Sequence, residues 1–513
     1  MKTKQKFKIK ERGITLIALV ITIIVLLILA GITIAAISGD NGILQNAARA
    51  KEETEQAEKD EKEKLGDMED ILDEYSTGIK VEQVVDENPG TLEGTGTETD
   101  PYTINSIEDL VVFASNVTNG TTYEGQTVKL ELSLDFNSNK SYVEPLRTDY
   151  GEYGYNGELK TLLTTGEGFK PIGTTYDANV STNYFKGTFN GDYNVIYNLY
   201  QNFEDSDNTS IIGLFTTNAG IIENLLIENA NISSATDNMF LVSGVVAGRN
   251  NGTITNCGAS GNSKITDNGV KGIFCGGLIG QAMGSIERCF SKINIDLTTN
   301  KSSQINVGGI TGALTEDYIK SSYNAGTINI NLSADKMVLA GGIAGLNRKE
   351  VSNCYNVGTI SFKASCETSQ AVYIGSILGQ GLAEDSRTTN CFNIGEINVD
   401  VLNDENTKIG NIIGQIYQSR MDYCYNVGKI NIINANIRKV GQISGEAFTS
   451  TVNNCYGIIG QINAIGNNVS NSTISNVTLV GKNEMTDILQ VIGENFKEDT
   501  NNINNGYPLL QWQ

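Results

Sequence analysis

Six cysteines recur at nearly constant spacing: Cys257, Cys289, Cys354, Cys391, Cys424 and Cys455, with Ser322 standing where a seventh would fall. Thiols in such a series could bind zinc, form disulfides or fill a core. A zinc site wants close pairs such as C-x-x-C, and the chain has none. Disulfides are open to neighbouring copies if the copies stack, because adjacent strands lie about 4.8 Å apart, within reach of the bond. The simplest reading is a column of small buried side chains, the usual habit of free cysteine. Asn324, Asn356, Asn393 and Asn426 share a second position, each in an N-x-G triplet. Stacked asparagines can bond amide to amide, as in cross-β ladders. The glycines that follow, Gly326, Gly358, Gly395 and Gly428, suit turns with positive φ.

Carboxylates are the remaining chemistry. Two acids about 5–10 Å apart can hydrolyse a glycosidic bond. Glu316/Asp317, Glu350 and Glu384/Asp385 fall four or five residues after a recurring glycine and could stack on one edge. Their offsets differ, however. Arg348 and Lys349 intervene in one copy, and the next offers Gln418-Ser419-Arg420. Solvated turns are therefore the favoured reading, with an extracellular carbohydrate-active enzyme as the alternative. The chain has no histidine, which excludes Ser-His-Asp and Cys-His catalysis and histidine-bound metals. No D-x-D-x-D-G calcium loop is present. We expect no catalytic residue, no metal and no cofactor.

What must position these residues is a repeat. A G-x-x-x-G element recurs at Gly244, Gly276, Gly308, Gly341, Gly375, Gly410 and Gly441, at spacings of 32, 32, 33, 34, 35 and 31. The cysteine position recurs at 32, 33, 32, 37, 33 and 31. Two markers with one period identify a repeat unit. The units lack long amphipathic stretches, and the chain carries 55 glycines against five prolines and one tryptophan. Short strands with glycine corners follow, and a unit of about 32 residues suits one coil of a parallel β-solenoid. The expected fold is mainly β, preceded by one long N-terminal transmembrane helix.

That helix is expected over residues 14–37, an uncharged and mostly apolar run. At about 1.5 Å per residue it reaches about 36 Å, enough to cross a bilayer core. Residues 1–13 carry six bases and one acid, which keeps the head cytoplasmic and places the bulk of the chain outside. Residues 38–75 read as a charged helical stem with acid-before-base pairs such as Glu55/Lys59, and 76–99 as a linker. Then come the lead-in and N-terminal coils (100–212), the main repeats (213–480) and a C-terminal cap (481–513). The net charge of -22 argues against binding nucleic acid.

Two segments resemble known families. Arg12-Gly13-Ile14-Thr15-Leu16-Ile17 resembles the class III signal of type IV prepilins and pseudopilins. The resemblance implies cleavage after Gly13 by a prepilin peptidase, N-methylation of Ile14, retention of the helix in membrane lipid, and other pilins as partners. That family carries Glu at the fifth mature position. This chain has Ala18, which fits a tip-type minor subunit, or a membrane protein that kept the signal, better than a mid-filament subunit. Gly341-Gly342-Ile343-Ala344-Gly345 with Val351-Ser352-Asn353-Cys354-Tyr355-Asn356-Val357-Gly358 resembles the GLUG repeat, and the resemblance covers about residues 94–513. It implies a bacterial surface protein with a structural or adhesive role. An unidentified extracellular ligand would meet loops that vary between coils, such as 333–337 and 400–407.

Overall fold

The computed structural model describes residues 91–137, 163–174, 183–203, 210–236, 240–269, 272–299, 304–366, 369–401, 406–433, 437–460, 462–469 and 471–513, with the pairs 147–148 and 151–152. The leader, the apolar run 14–37 and the stem lie outside the described residues. No helix among the described residues is long and apolar enough to cross a membrane.

Each coil is built from short segments whose side chains alternate. Thr327–Leu332 buries Ile328, Ile330 and Leu332 while Thr327, Asn329 and Asn331 face outward. The coil continues through Met337–Gly341 and Ala344–Asn347, then closes through Glu350–Ser352 and Tyr355–Asn356. We call these the first, second, third and fourth walls. Successive coils pair in parallel and in register, so that Ile328, Ile360, Ile397 and Ile430 stack as one column. The first and second walls each form a sheet of 8 strands, the third a sheet of 9, and the fourth, joined by the N-terminal strands, a sheet of 21. The result is a parallel β-solenoid of about eight coils with a continuous aliphatic interior.

The glycine corners follow from close approach. A Cβ on Gly341 would sit 2.0 Å from the Ala344 carbonyl oxygen, and one on Gly342 would sit 2.1 Å from that of Ser376. The same reason corrects the expectation for Gly326, Gly358, Gly395 and Gly428. None of them adopts positive φ. A Cβ on Gly358, Gly395 or Gly428 would instead lie 2.0 Å from the carbonyl oxygen of the equivalent glycine one coil earlier. Positive φ falls on the residue before each cysteine position. Asn256, Arg288, Ser321, Asn353, Asn390, Tyr423 and Asn454 have φ of 50 to 55°, a conformation asparagine tolerates better than most residues.

The two ends differ. Residues 91–99 already belong to the fold, with Glu93 bridged to Thr103 and the Gly96 carbonyl accepting from Thr127 N–H. The helix Ile107–Thr118 begins at Ser106, whose side chain accepts from Asp109 N–H, the usual N-cap bond. It buries Leu110, Val111, Phe113, Ala114 and Val117. Phe113 meets Tyr123, Phe185, Phe189 and Phe215 at centroid distances of 5.1 to 6.3 Å. At the other end, Ile465–Val469 and Thr473–Val480 are mostly half-exposed or exposed, and no described strand pairs with their outer edges. The C-terminal segment does not lie across this last coil. It turns back along the fourth wall.

Candidate functional site

The cysteine positions form a column inside the fourth wall. Each of the six thiols is buried and unpaired. Each donates to the carbonyl oxygen two residues earlier at 3.1 to 3.3 Å. Ser322 makes the equivalent bond to Lys320 O at 2.8 Å. Burial pushes the Cys257, Cys354 and Cys424 thiols well up, which keeps them protonated. Beside this column, Asn324 Nδ2 donates to Asn356 Oδ1 at 2.8 Å, Asn356 to Asn393 at 3.0 Å and Asn393 to Asn426 at 2.8 Å. The ladder ends on Gln442 Oε1 at 3.0 Å. The first and last two of these asparagines also accept from the glycine N–H two residues on. The thiols and amides of both columns are buried and hydrogen-bonded along the stack.

A third column escaped the reading of the sequence. From Cys289 onward the residue after each cysteine position is aromatic, whereas Gly258 follows Cys257, and the rings of Tyr323, Tyr355, Phe392 and Tyr425 stack at 4.8 to 5.0 Å with planes within 3°. Phe290 continues the stack at 5.5 Å. The repeated C-Y and C-F dipeptides were its signal. The C-terminal segment seals this ladder. Met485, Ile488, Ile492, Phe496, Tyr507 and Leu510 pack on Tyr355, Phe392, Tyr425 and Tyr456. Tyr425 donates to the Pro508 carbonyl and accepts from Asn504 Nδ2 at 2.9 Å. Trp512 Nε1 reaches Asn353 O at 3.0 Å. Stacked rings face one another, so the ladder presents edges rather than faces and is a poor platform for a sugar ring.

The candidate acids do not converge. Glu350 is stacked between Tyr318 and Arg387 and lies 3.3 Å from Lys320. Asp385 pairs with Lys349 at 3.2 Å. Glu316 and Asp317 are exposed on their turn. Among the described residues no group of three or more His, Cys, Asp or Glu side chains could hold a metal ion.

Two polar clusters sit where the repeat would accept aliphatic residues. Inside the solenoid, Asp267 is fully buried and accepts from the Ser234 and Ser243 hydroxyls; burial pushes its carboxyl up. On the outer side of the second and third walls, Glu446 is 6% exposed and forms an ion pair with Lys408. Gln415 Nε2 and Asn467 Nδ2 each donate to it at 2.8 Å, and Lys439 Nζ stands 3.8 Å away. Gln380 Nε2 donates to Gln415 Oε1 at 2.7 Å, extending the row by one coil. Lys408 Nζ lies 4.5 Å over the Tyr373 ring, a cation–π contact. Burial pushes the Glu446 carboxyl up, but the bonds from Lys408, Asn467 and Gln415 outweigh it and hold it below its usual value. Neither cluster was legible as a site, because single Asp, Glu and Lys residues in a polar repeat carry no pattern.

No family model matches the chain. Halomucin of Haloquadratum walsbyi (strain DSM 16790 / HBSQ001) is 31% identical over 191 residues, which is 37% of this chain. The chain covers 2% of the length of that relative. Among solved structures, a candidate immunoglobulin A1 protease from Bacteroides ovatus aligns over 82% of this chain and 95% of its own, with 16% identity and a TM-score of 0.38. At that score the likeness carries no argument about either fold or activity.

Proposed function

We propose that the protein is a membrane-anchored, surface-displayed rod whose role is structural or adhesive, within or beside a type IV pilus-like system. The observation that carries this reading is the saturation of the repeat. Thiols, amides and aromatic rings are committed to in-register columns over successive coils, and the acids suggested for hydrolysis pair with lysines or stand apart. Such a body supplies reach and surface rather than turnover. About eight coils at roughly 4.8 Å each extend close to 40 Å. The residues at Arg12-Gly13-Ile14 support processing by a prepilin peptidase, residues 14–37 support anchoring in lipid, and Ala18 favours a tip-type or tethered protein over a mid-filament pilin.

Mass spectrometry of the mature N-terminus tests the reading. A chain beginning at methylated Ile14 is expected. An intact Met1, or a cut beyond residue 37, sinks the pilin route. Protease shaving of intact cells tests display, with release of solenoid peptides as the expected outcome.

A further inference from the structure

We propose that the outward cluster around Glu446 binds a carboxylated polysaccharide, with the Lys439 ammonium meeting the ligand's carboxylate. This rests on the adhesive reading above and names the ligand class.

The first argument is that the fold does not require these charges. In the stacked columns, the position of Lys408 and Lys439 is held earlier by Phe274, Asn306, Leu339 and Tyr373, and that of Gln415 and Glu446 by Arg249, Gln281 and Gln380 and, between the last two, by the aliphatic Ala313 and Leu346. Those aliphatics pack as a small buried cluster on the same outer side. Charges removed from water are costly unless fully matched. Lys408 and Lys439 also stand directly opposite each other on adjacent strands, an unfavourable placement of like charges. A position filled by uncharged Phe274, Asn306, Leu339 and Tyr373 in earlier coils that carries two stacked lysines here points to a demand other than stability.

The second argument is charge balance. Two ammoniums share one carboxylate. Lys408 is in direct contact with Glu446, while Lys439 stands 3.8 Å away with its side chain 29% exposed. The cluster therefore carries one positive charge in excess on a chain of net charge -22. Lys439 is the partly exposed ammonium, placed to take a ligand carboxylate as a second counter-ion.

The third is the surrounding chemistry. The half-buried Asn467 amide and the Tyr373 hydroxyl border the lysines, groups suited to sugar hydroxyls, while the buried Gln415 holds Glu446 in place. The cluster spans neighbouring rungs about 4.8 Å apart, so a linear chain can lie along the solenoid axis across several of them. A nucleic acid fits less well, since its dense phosphate charge would be repelled by the acidic remainder of the protein.

The test is retention of the full chain, purified in detergent, on immobilised polygalacturonate, on neutral dextran and on single-stranded DNA. Retention on polygalacturonate alone is expected, falling as salt rises. Lys439→Glu should weaken it by about tenfold or more, and Lys439→Arg should retain most of it. Lys439→Gln serves as a milder variant if the reversal perturbs folding, which circular dichroism would report. Equal retention on dextran, an unchanged Lys439→Gln variant, or DNA binding with the same dependence on Lys439 would each overturn the proposal. Failure of display is a separate result: binding by the purified chain, without release of solenoid peptides from intact cells, would remove the adhesive role and leave the site standing.

Discussion

The two ends of the solenoid are finished in opposite ways. At the N-terminal end an amphipathic helix drives Phe113 into a cluster of four aromatic rings and closes the apolar interior. At the C-terminal end the last coil keeps Ile465, Ile474 and Val477 half-exposed, and the segment that could cover it runs back along the aromatic ladder. A stack of coils needs its interior shielded and its coils held in register. The helix accomplishes the first at one end. The C-terminal strap accomplishes the second over the final coils, because one segment touches the wall from Asn353 to Tyr456.

The difference can be broken or sharpened by substitution. Phe113→Ala should have the largest effect, about 3–5 kcal/mol, since it opens a cavity among rigid rings; urea denaturation would measure it, and a loss under 1 kcal/mol would show that the helix is not the closure. Asn356→Ala should cost about 2–3 kcal/mol, leaving Asn324 Nδ2 and Asn393 Oδ1 without their amide partner, and should depress the midpoint for the strapped coils. Tyr425→Phe removes the hydroxyl held by Pro508 and Asn504. About 1–2 kcal/mol of local stability should go, read as faster proteolysis within 482–513 with little change in global unfolding. Ile474→Asp in the half-exposed last coil should cost least, under about 1 kcal/mol by the same urea assay; a cost as large as that of Phe113→Ala would mean that this end is closed after all.

The interior of the coils between the two ends holds a buried carboxyl, Asp267, whose ionisation makes stability depend on pH. Burial raises the Asp267 carboxyl, so the folded chain holds this proton longer than the unfolded chain does. Its contribution is complete below the unfolded value and is lost as pH climbs through the folded one. Asp267→Asn should therefore stabilise the protein more at about pH 8 than at about pH 4, by denaturation at both. An equal effect at the two would mean that the carboxyl is not buried as described.

Much of this was legible in the residues. Regular glycines and cysteines marked the coil, because a stacked repeat forces each position to meet its own copy and so restricts its size. The Asn324, Asn356, Asn393 and Asn426 triplets announced stacked amides for the same reason. The conformation of the neighbouring glycines was not legible. Absence of a Cβ serves positive φ and close approach equally well, and only the Gly358 to Gly326 contact distinguishes them. The aromatic ladder lay in plain view in the C-Y and C-F pairs, yet its cover came from residues as distant as Trp512.

The sequence by itself determined the period, the alternation of inward and outward side chains, the stacking of like with like, and the lack of histidine chemistry. These are local or periodic properties, set by spacing and side-chain type. The tertiary structure decided which end is closed, where the C-terminal segment lies, and that Lys408, Lys439 and Glu446 meet on the outer side of two walls. The first two depend on contacts between residues with no fixed separation along the chain, and burial and charge pairing become defined only when the coils are stacked.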